Sequence, residues 1–218
     1  MTPSRLLRAK IGMVSARLHA ASVALWDGPD FARLYADYLC RVHAIIRASV
    51  PVMEAALGCA RARGGQDRVA AGLAEYLSAH IQEEMHHDEW VLEDLEVLGI
   101  DRAAVLNRIP SPTVASLVGS QYYWIFHHHP LAVVGYIAVL EGTPPDAAHI
   151  RSVSANTGVP LAAFSTMLKH ARLDPFHRDD LDRLLDSLPL TSHHSALVGL
   201  SAFHTVHALC RVIEETIA

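Results

Sequence analysis

Two imidazoles and a carboxylate stand at positions i, i+4 and i+7 in the segment His170-Ala-Arg-Leu-Asp174-Pro-Phe-His177. At about 100° per residue these positions fall within roughly 60° of one another on a helix, so the three side chains can converge on one point. A second cluster, His80-Ile-Gln-Glu83-Glu84-Met-His86-His87-Asp88, contains Glu84-x-x-His87, an i, i+3 pair of the kind used by carboxylate-bridged di-iron helices. A third element is Glu141, which closes the apolar run 131–140, where a lone carboxylate loses hydration at considerable cost unless it is paired or metal-bound. Mixed imidazole and carboxylate donors suit iron or manganese, whereas a structural zinc site more often recruits cysteine. A dinuclear site built from Glu84, His87, Glu141, His170, Asp174 and His177 is therefore the first expectation.

The elements that must position these residues read as helices throughout. Apolar positions recur at helical spacing and alternating β-branched runs are absent, which predicts an all-α chain, a compact bundle of seven to eight helices forming one domain over 1–218. A first helix is expected over 3–26 and a second over 31–62, broken or kinked near Pro51, because an internal proline removes a backbone donor. After the turn at 63–67, a third helix is expected to run from 69 to 98 and to stop at Gly99. Its stripe of Val69, Leu73, Leu77, Ile81, Val91, Leu95 and Leu98 takes in Glu84 and His87, so both are predicted to point inward. Glu83, Glu89, Glu93, Asp94 and Glu96 fall at the margin of that stripe or opposite it and read as solvated charges. Prolines then delimit 113–129, 131–143 and 146–156, Gly158-Val-Pro160 opens the helix that holds His170, and a last helix covers 193–217.

Within these elements several residues have two readings. Asp174-Pro175 predicts a bend, since proline disfavours α conformation in the residue before it, and Asp-Pro is also a good cap and first-turn pair; on that reading Asp174 only starts a helix. Glu141 beside Gly142 also reads as an exposed helix end. His80 shares the inward face and reads as a hydrogen-bonded core histidine. His86 competes with His87 but projects off the stripe. His127-His128-His129 reads as a loop-edge cluster, His193 and His194 as an N-terminal cap, and His204-x-x-His207 could enter a pocket.

Composition narrows the function. The 218 residues carry a net charge of −5, 51% hydrophobic and only 6% aromatic residues, with no basic stripe or stacking platform for a nucleic acid. Cys40, Cys59 and Cys210 lie far apart without a C-x-x-C pair, which argues against a disulfide framework and points to a reducing, cytoplasmic setting. Arg5, Arg8, Lys10 and Arg17 precede any acidic residue, as in a transit peptide, but the interleaved apolar positions fit a basic amphipathic helix of the fold better. No uninterrupted apolar run approaches the roughly 20 residues that span a bilayer, so no membrane association is expected. Phosphate loops, the G-x-S-x-G elbow and H-E-x-x-H are absent.

The order Glu84-Met-His-His87, a glutamate 54 residues further on at Glu141, then His170-x-x-x-Asp174-x-x-His177 resembles the haem-oxygenase-like di-iron oxidases and oxygenases. The phrases around Trp90 and from His129 to Gly142 are also similar to that family, and the resemblance covers roughly residues 68 to 186. It implies a haem-oxygenase-like fold, two ferrous ions held by the six residues, and O2-dependent oxidation of a small amino-acid-derived or fatty-acid-like metabolite in a biosynthetic pathway. Glu84 and Glu141 would be the metal-sharing carboxylates, with the division of the other ligands left open. His86 is a departure, since smaller residues are common there in the family. A second hypothesis is a metal-free helical module, thiaminase-like in fold, binding a small molecule through Tyr122, Tyr123 and Trp124. A ferritin-like carboxylate protein is disfavoured by the single Glu-x-x-His. Arg47, Arg151 and Lys169 are candidate substrate anchors, and the apolar last helix is a candidate homodimer face.

Overall fold

The structure, a computed structural model, describes residues 1–218. Its helices are α1 (Pro3–Val14), α2 (Ala16–Trp26), α3 (Phe31–Arg63), α4 (Arg68–Glu84), α5 (His87–Val97), α6 (Arg102–Leu106), α7 (Pro112–His127), α8 (Val133–Leu140), α9 (Ala147–Thr157), α10 (Ser165–Ser187) and α11 (Ser192–Ile217), with single 3₁₀ turns at 64–66, 130–132 and 161–164. There is no strand, as expected of an all-α chain. Several helices start where side chains satisfy the orphan N–H groups of a first turn. Asp67 accepts from the amides of Val69 and Ala70, Asp146 from those of Ala148 and His149, and Ser111 caps the helix opened by Pro112. Thr191 and His194 form a reciprocal capping box at α11, so His194 caps as predicted.

Four expectations about helix boundaries are corrected. The helix at 69–98 is two helices: it stops at Glu84, Met85 is extended (ψ 132°), and His86 takes a left-handed conformation (φ 70°) before α5 begins at His87. No glycine or proline marks that break. The only local sign is Asp88 and Glu89, acidic residues in what becomes the first turn of α5, where the helix dipole favours them. In the other direction, α3 continues through Pro51 and α10 through Pro175, so neither proline ends its helix and Asp174 does not start one. Each proline forfeits one hydrogen bond in a helix of 33 or 23 residues that is held by packing along its length. The expected first helix is also interrupted, at Ser15. These divisions raise the helix count above the seven or eight expected while leaving the bundle architecture as read.

Two buried apolar clusters lie end to end. One joins Ile45, Val52 and Met53 of α3 with Leu73, Leu77 and Ile81 of α4, Tyr136 and Ile137 of α8, and Leu181 and Leu185 of α10. The other joins Phe31, Tyr35 and Leu39 of α3 with Val91, Leu92 and Leu95 of α5 and Phe164. The break at Met85-His86 falls at the seam between them. Helix α8 presses on α11 at Gly135, where a Cβ would collide with the backbone of Val198 and Ala202. By length and mean hydropathy α3 and α11 could each cross a membrane, which corrects the expectation that nothing in the chain approaches that length. Both give side chains to the bundle core, including Tyr35 and Val52 of α3 and Val198 and Ala202 of α11.

Candidate metal centre

All six residues picked out by spacing come to the seam. Glu84 ends α4 and His87 begins α5, and the intervening turn sets His87 Nδ1 3.0 Å from Glu84 Oε2. Helix α10, unbroken through Pro175, brings His170, Asp174 and His177 along one face. Glu141 caps the C-terminus of α8 with its side chain only 13% exposed, so it is not the solvated helix end that its neighbour Gly142 suggested. His177 Nδ1 lies 3.3 Å from Glu84 Oε1 and 3.6 Å from Glu141 Oε2. The rings of His87 and His170 stand edge to face with centroids 5.1 Å apart.

The distinctive property of this cluster is polar atoms without partners. Glu84 Oε1, His87 Nδ1, Glu141 Oε2, Asp174 Oδ1 and His177 Nδ1 are all buried and make no hydrogen bond. Several lie close together, yet their directions are not those of donor to acceptor, as when lone pairs face a common centre. A buried polar atom left unsatisfied costs about 1–3 kcal/mol, so five in one place call for a shared partner. Donor atoms of Glu84, His87 and His170 lie within 4.8 Å of one another, and so do those of His80, Glu84 and Glu141. Glu84 belongs to both triads, which gives two cation positions with a shared carboxylate. The residues present thus fit two divalent ions of the iron or manganese type.

The surroundings hold these donors in place. The Nδ1–H of His170 donates to the carbonyl of Thr166 at 2.9 Å, which fixes the tautomer and frees Nε2 for a cation. Asp94 of α5, with no exposed surface, accepts from the amides of Ser165 and Thr166 at 3.1 and 3.0 Å and so caps α10 from across the interface. It had read as a solvated charge. The break at Met85-His86 shifts the phase of α5, turning Asp94 inward and clamping the helix of His87 to the helix of His170. Burial, reinforced by the charges of Glu141 and Glu84, pushes the Asp174 carboxyl up to about 8. Burial also raises Glu141, with Glu84 adding to it, against the opposing pull of His80 and His177. Burial disfavours the charge of Glu84 too, but His87, His80 and His170 outweigh it and hold that carboxyl below its usual range.

Sequence reasoning undervalued two residues here. His80 does have the hydrogen-bond partner expected of a core histidine, but the partner is Glu141, at 3.1 Å, and His80 is one of the donors converging on the centre. Glu83, read as a solvated charge, is half exposed, with Oε2 3.7 Å from both His80 Nδ1 and His177 Nε2. The i, i+3 and i, i+4 spacings of His80 to Glu83 and Glu84 were the available signal. The other histidines stand apart: His86 is exposed, His127 and His128 are exposed, and His129 is buried against Asp67.

A cavity of about 260 Å³ opens beside the centre. Glu84, Glu141, His170 and Asp174 form its polar end, and Ile45, Ile46, Met53, Ile137, Leu140 and Leu209 are among its apolar walls. No lysine or arginine lines it. Tyr122 lines a separate groove on the far side of α3, Tyr123 is exposed, and Trp124 packs on His204, so that aromatic trio builds no pocket. Arg47 lines the same far groove, and Lys169 lies over Trp90 at 4.2 Å.

An all-helical bundle with buried histidines and carboxylates beside an apolar cavity defines a class of helical proteins with the side chains to hold a metal ion. The chain belongs to the iron-containing redox enzyme family, whose model matches residues 36–208. Among solved structures it is similar to a domain of unknown function with a haem-oxygenase-like fold from Shewanella denitrificans, at 17% identity and a TM-score of 0.76, over 99% of this chain and 88% of that one. It is also similar to a TenA homolog from Pseudomonas syringae pv. tomato, at 13% identity and a TM-score of 0.74, over 98% of this chain and 91% of the other. These likenesses show the haem-oxygenase-like fold. No curated protein matches the sequence.

Proposed function

We propose that the protein is an O2-dependent non-haem di-iron oxidase or oxygenase, with manganese as the alternative metal, and that Glu84, His87, Glu141, His170, Asp174 and His177 hold its two ions. The observation that carries this reading is a pair of donor triads, Glu84 with His87 and His170 and Glu84 with His80 and Glu141, that share one carboxylate among buried polar atoms left without partners. Bound iron would supply the redox chemistry that side chains lack. The protein's own contribution is positioning. Asp94 and the Thr166 carbonyl fix the orientation of α10 and of His170, and the apolar walls keep water from the polar end of the cavity.

The cavity argues for a small, largely apolar substrate, amino-acid-derived or fatty-acid-like, in a biosynthetic pathway. Because no cationic side chain lines it, a substrate carboxylate would find its countercharge only at the ions. The three cysteines are all free, in keeping with a cytoplasmic protein. The test is anaerobic loading with Fe(II), which should reach about two ions per chain, followed by exposure to O2 with a metabolite library read by mass change. Iron uptake unchanged in Glu84→Ala and His170→Ala variants would refute the centre. Purification free of transition metal, with small-molecule binding indifferent to chelators, would instead favour a metal-free binding protein on the fold shared with the TenA homolog.

A further inference from the structure

His80 and His177 each face two ways. Their inward nitrogens meet the buried carboxylates: His80 Nε2 is 3.1 Å from Glu141 Oε1, and His177 Nδ1 is 3.3 Å from Glu84 Oε1. Their outward nitrogens meet a single atom, since His80 Nδ1 and His177 Nε2 each lie 3.7 Å from Glu83 Oε2. The two rings stand edge to face, with centroids 5.0 Å apart and planes at 88°. Both histidines are buried, at 2% and 6% side-chain exposure, whereas Glu83 is 52% exposed. Donor atoms of these three residues lie within 4.8 Å of one another, a span that one cation can bridge. Glu83 precedes Glu84 on α4, and a step of about 100° turns it from the centre toward solvent.

A neutral imidazole has one lone pair, on one of its two nitrogens. Neither histidine can therefore ligate an outer and an inner ion together while keeping its remaining proton. We propose that Glu83, His80 and His177 form a transient loading site, where a divalent cation arriving from solvent is held before it passes to Glu84 and Glu141. The passage is a ligand exchange. The cation leaves the Glu83 carboxylate and the outward lone pairs, each imidazole moves its proton to the vacated nitrogen, and the inward nitrogens and buried carboxylates take the ion. No electron moves and each ring stays neutral. The outer site empties as the inner one fills, so it adds a route and not a third bound ion. This inference rests on the metal centre proposed above.

The experiment follows Co2+ uptake by metal-free protein through its visible absorption, together with release to a chelator, in wild type, Glu83→Gln and Glu93→Gln. Glu83→Gln should bind the same number of ions with the same Kd, while uptake and release both slow about tenfold, the lower end of what a steering charge contributes. Glu93 is exposed on the following helix, and its variant should keep wild-type rates. Unchanged rates in Glu83→Gln would overturn the loading site. So would a lower stoichiometry or a Kd weakened by faster release, which would make Glu83 a permanent ligand, and so would equal slowing in Glu93→Gln, which would reduce the effect to general attraction. Wild-type protein that binds no Co2+ would remove the metal centre itself, and the loading site with it.

Discussion

Two histidine–carboxylate groupings in this molecule use the same residue types to opposite ends. At the start of α4, His129 Nδ1 accepts from the amide of Leu131 at 3.0 Å, and its Nε2–H donates to Asp67 Oδ2 at 3.0 Å. The other oxygen of Asp67 accepts from Val69 and Ala70. Every strong polar atom of that pair is committed. At the seam between the two apolar clusters, Glu84, His87, Glu141, Asp174 and His177 each leave an atom uncommitted. Composition does not separate the two groupings, and satisfaction does. A satisfied pair fastens helix to loop, whereas an unsatisfied one keeps its lone pairs for something else.

That contrast can be broken most decisively through metal content. Glu84→Gln, which removes the carboxylate common to both cation positions, should reduce bound iron from about two ions to less than one per chain by elemental analysis. Asp67→Ala should leave iron content at the wild-type level. If the two variants lost iron alike, the distinction between the groupings would fail. The reverse asymmetry is expected in stability. Asp67→Ala strips two amides of their cap and orphans a buried histidine, at a cost of about 2 kcal/mol in urea denaturation.

A smaller effect comes from Asp174 in metal-free protein. On folding it retains its proton up to about pH 8, whereas its ordinary value is 3.8, so stability falls as pH rises through that window. Asp174→Asn, which carries no charge to lose, should raise Tm at pH 8 by about 4 °C or more, with the gap narrowing toward pH 5. A gap independent of pH would mean that the carboxyl ionises normally. The smallest change expected is at His86, the sole non-glycine residue with positive φ. His86→Gly should relieve about 1 kcal/mol of backbone strain and leave iron content intact. Iron loss in that variant would make His86 a ligand after all.

The grouping of the six candidate residues was legible because spacing along a helix survives folding. His170, Asp174 and His177 keep one face of α10, and Glu84 meets His87 across the turn as it would along a helix. The turn itself was not legible, since Glu84-Met-His-His87 contains no residue that must break a helix. That single omission hid Asp94, because extrapolating the α4 stripe across the break gives α5 the wrong phase. The prolines misled in the opposite sense: Pro51 and Pro175 are local signals overridden by packing along long helices. His80 was read as a hydrogen-bonded core histidine, but nothing local says that its partner is a carboxylate 61 positions away.

The position of the break has a thermodynamic consequence. Glu84 belongs to a helix anchored in one apolar cluster and His87 to a helix anchored in the other. An ion held by both would act as a further cross-link between two cores that are otherwise joined through α3, α10 and α11. Occupancy would then govern cooperativity as well as chemistry. Calorimetry of the loaded protein should show one transition, and the metal-free protein a broadened or divided one, as the two halves lose the fastening that makes them melt together.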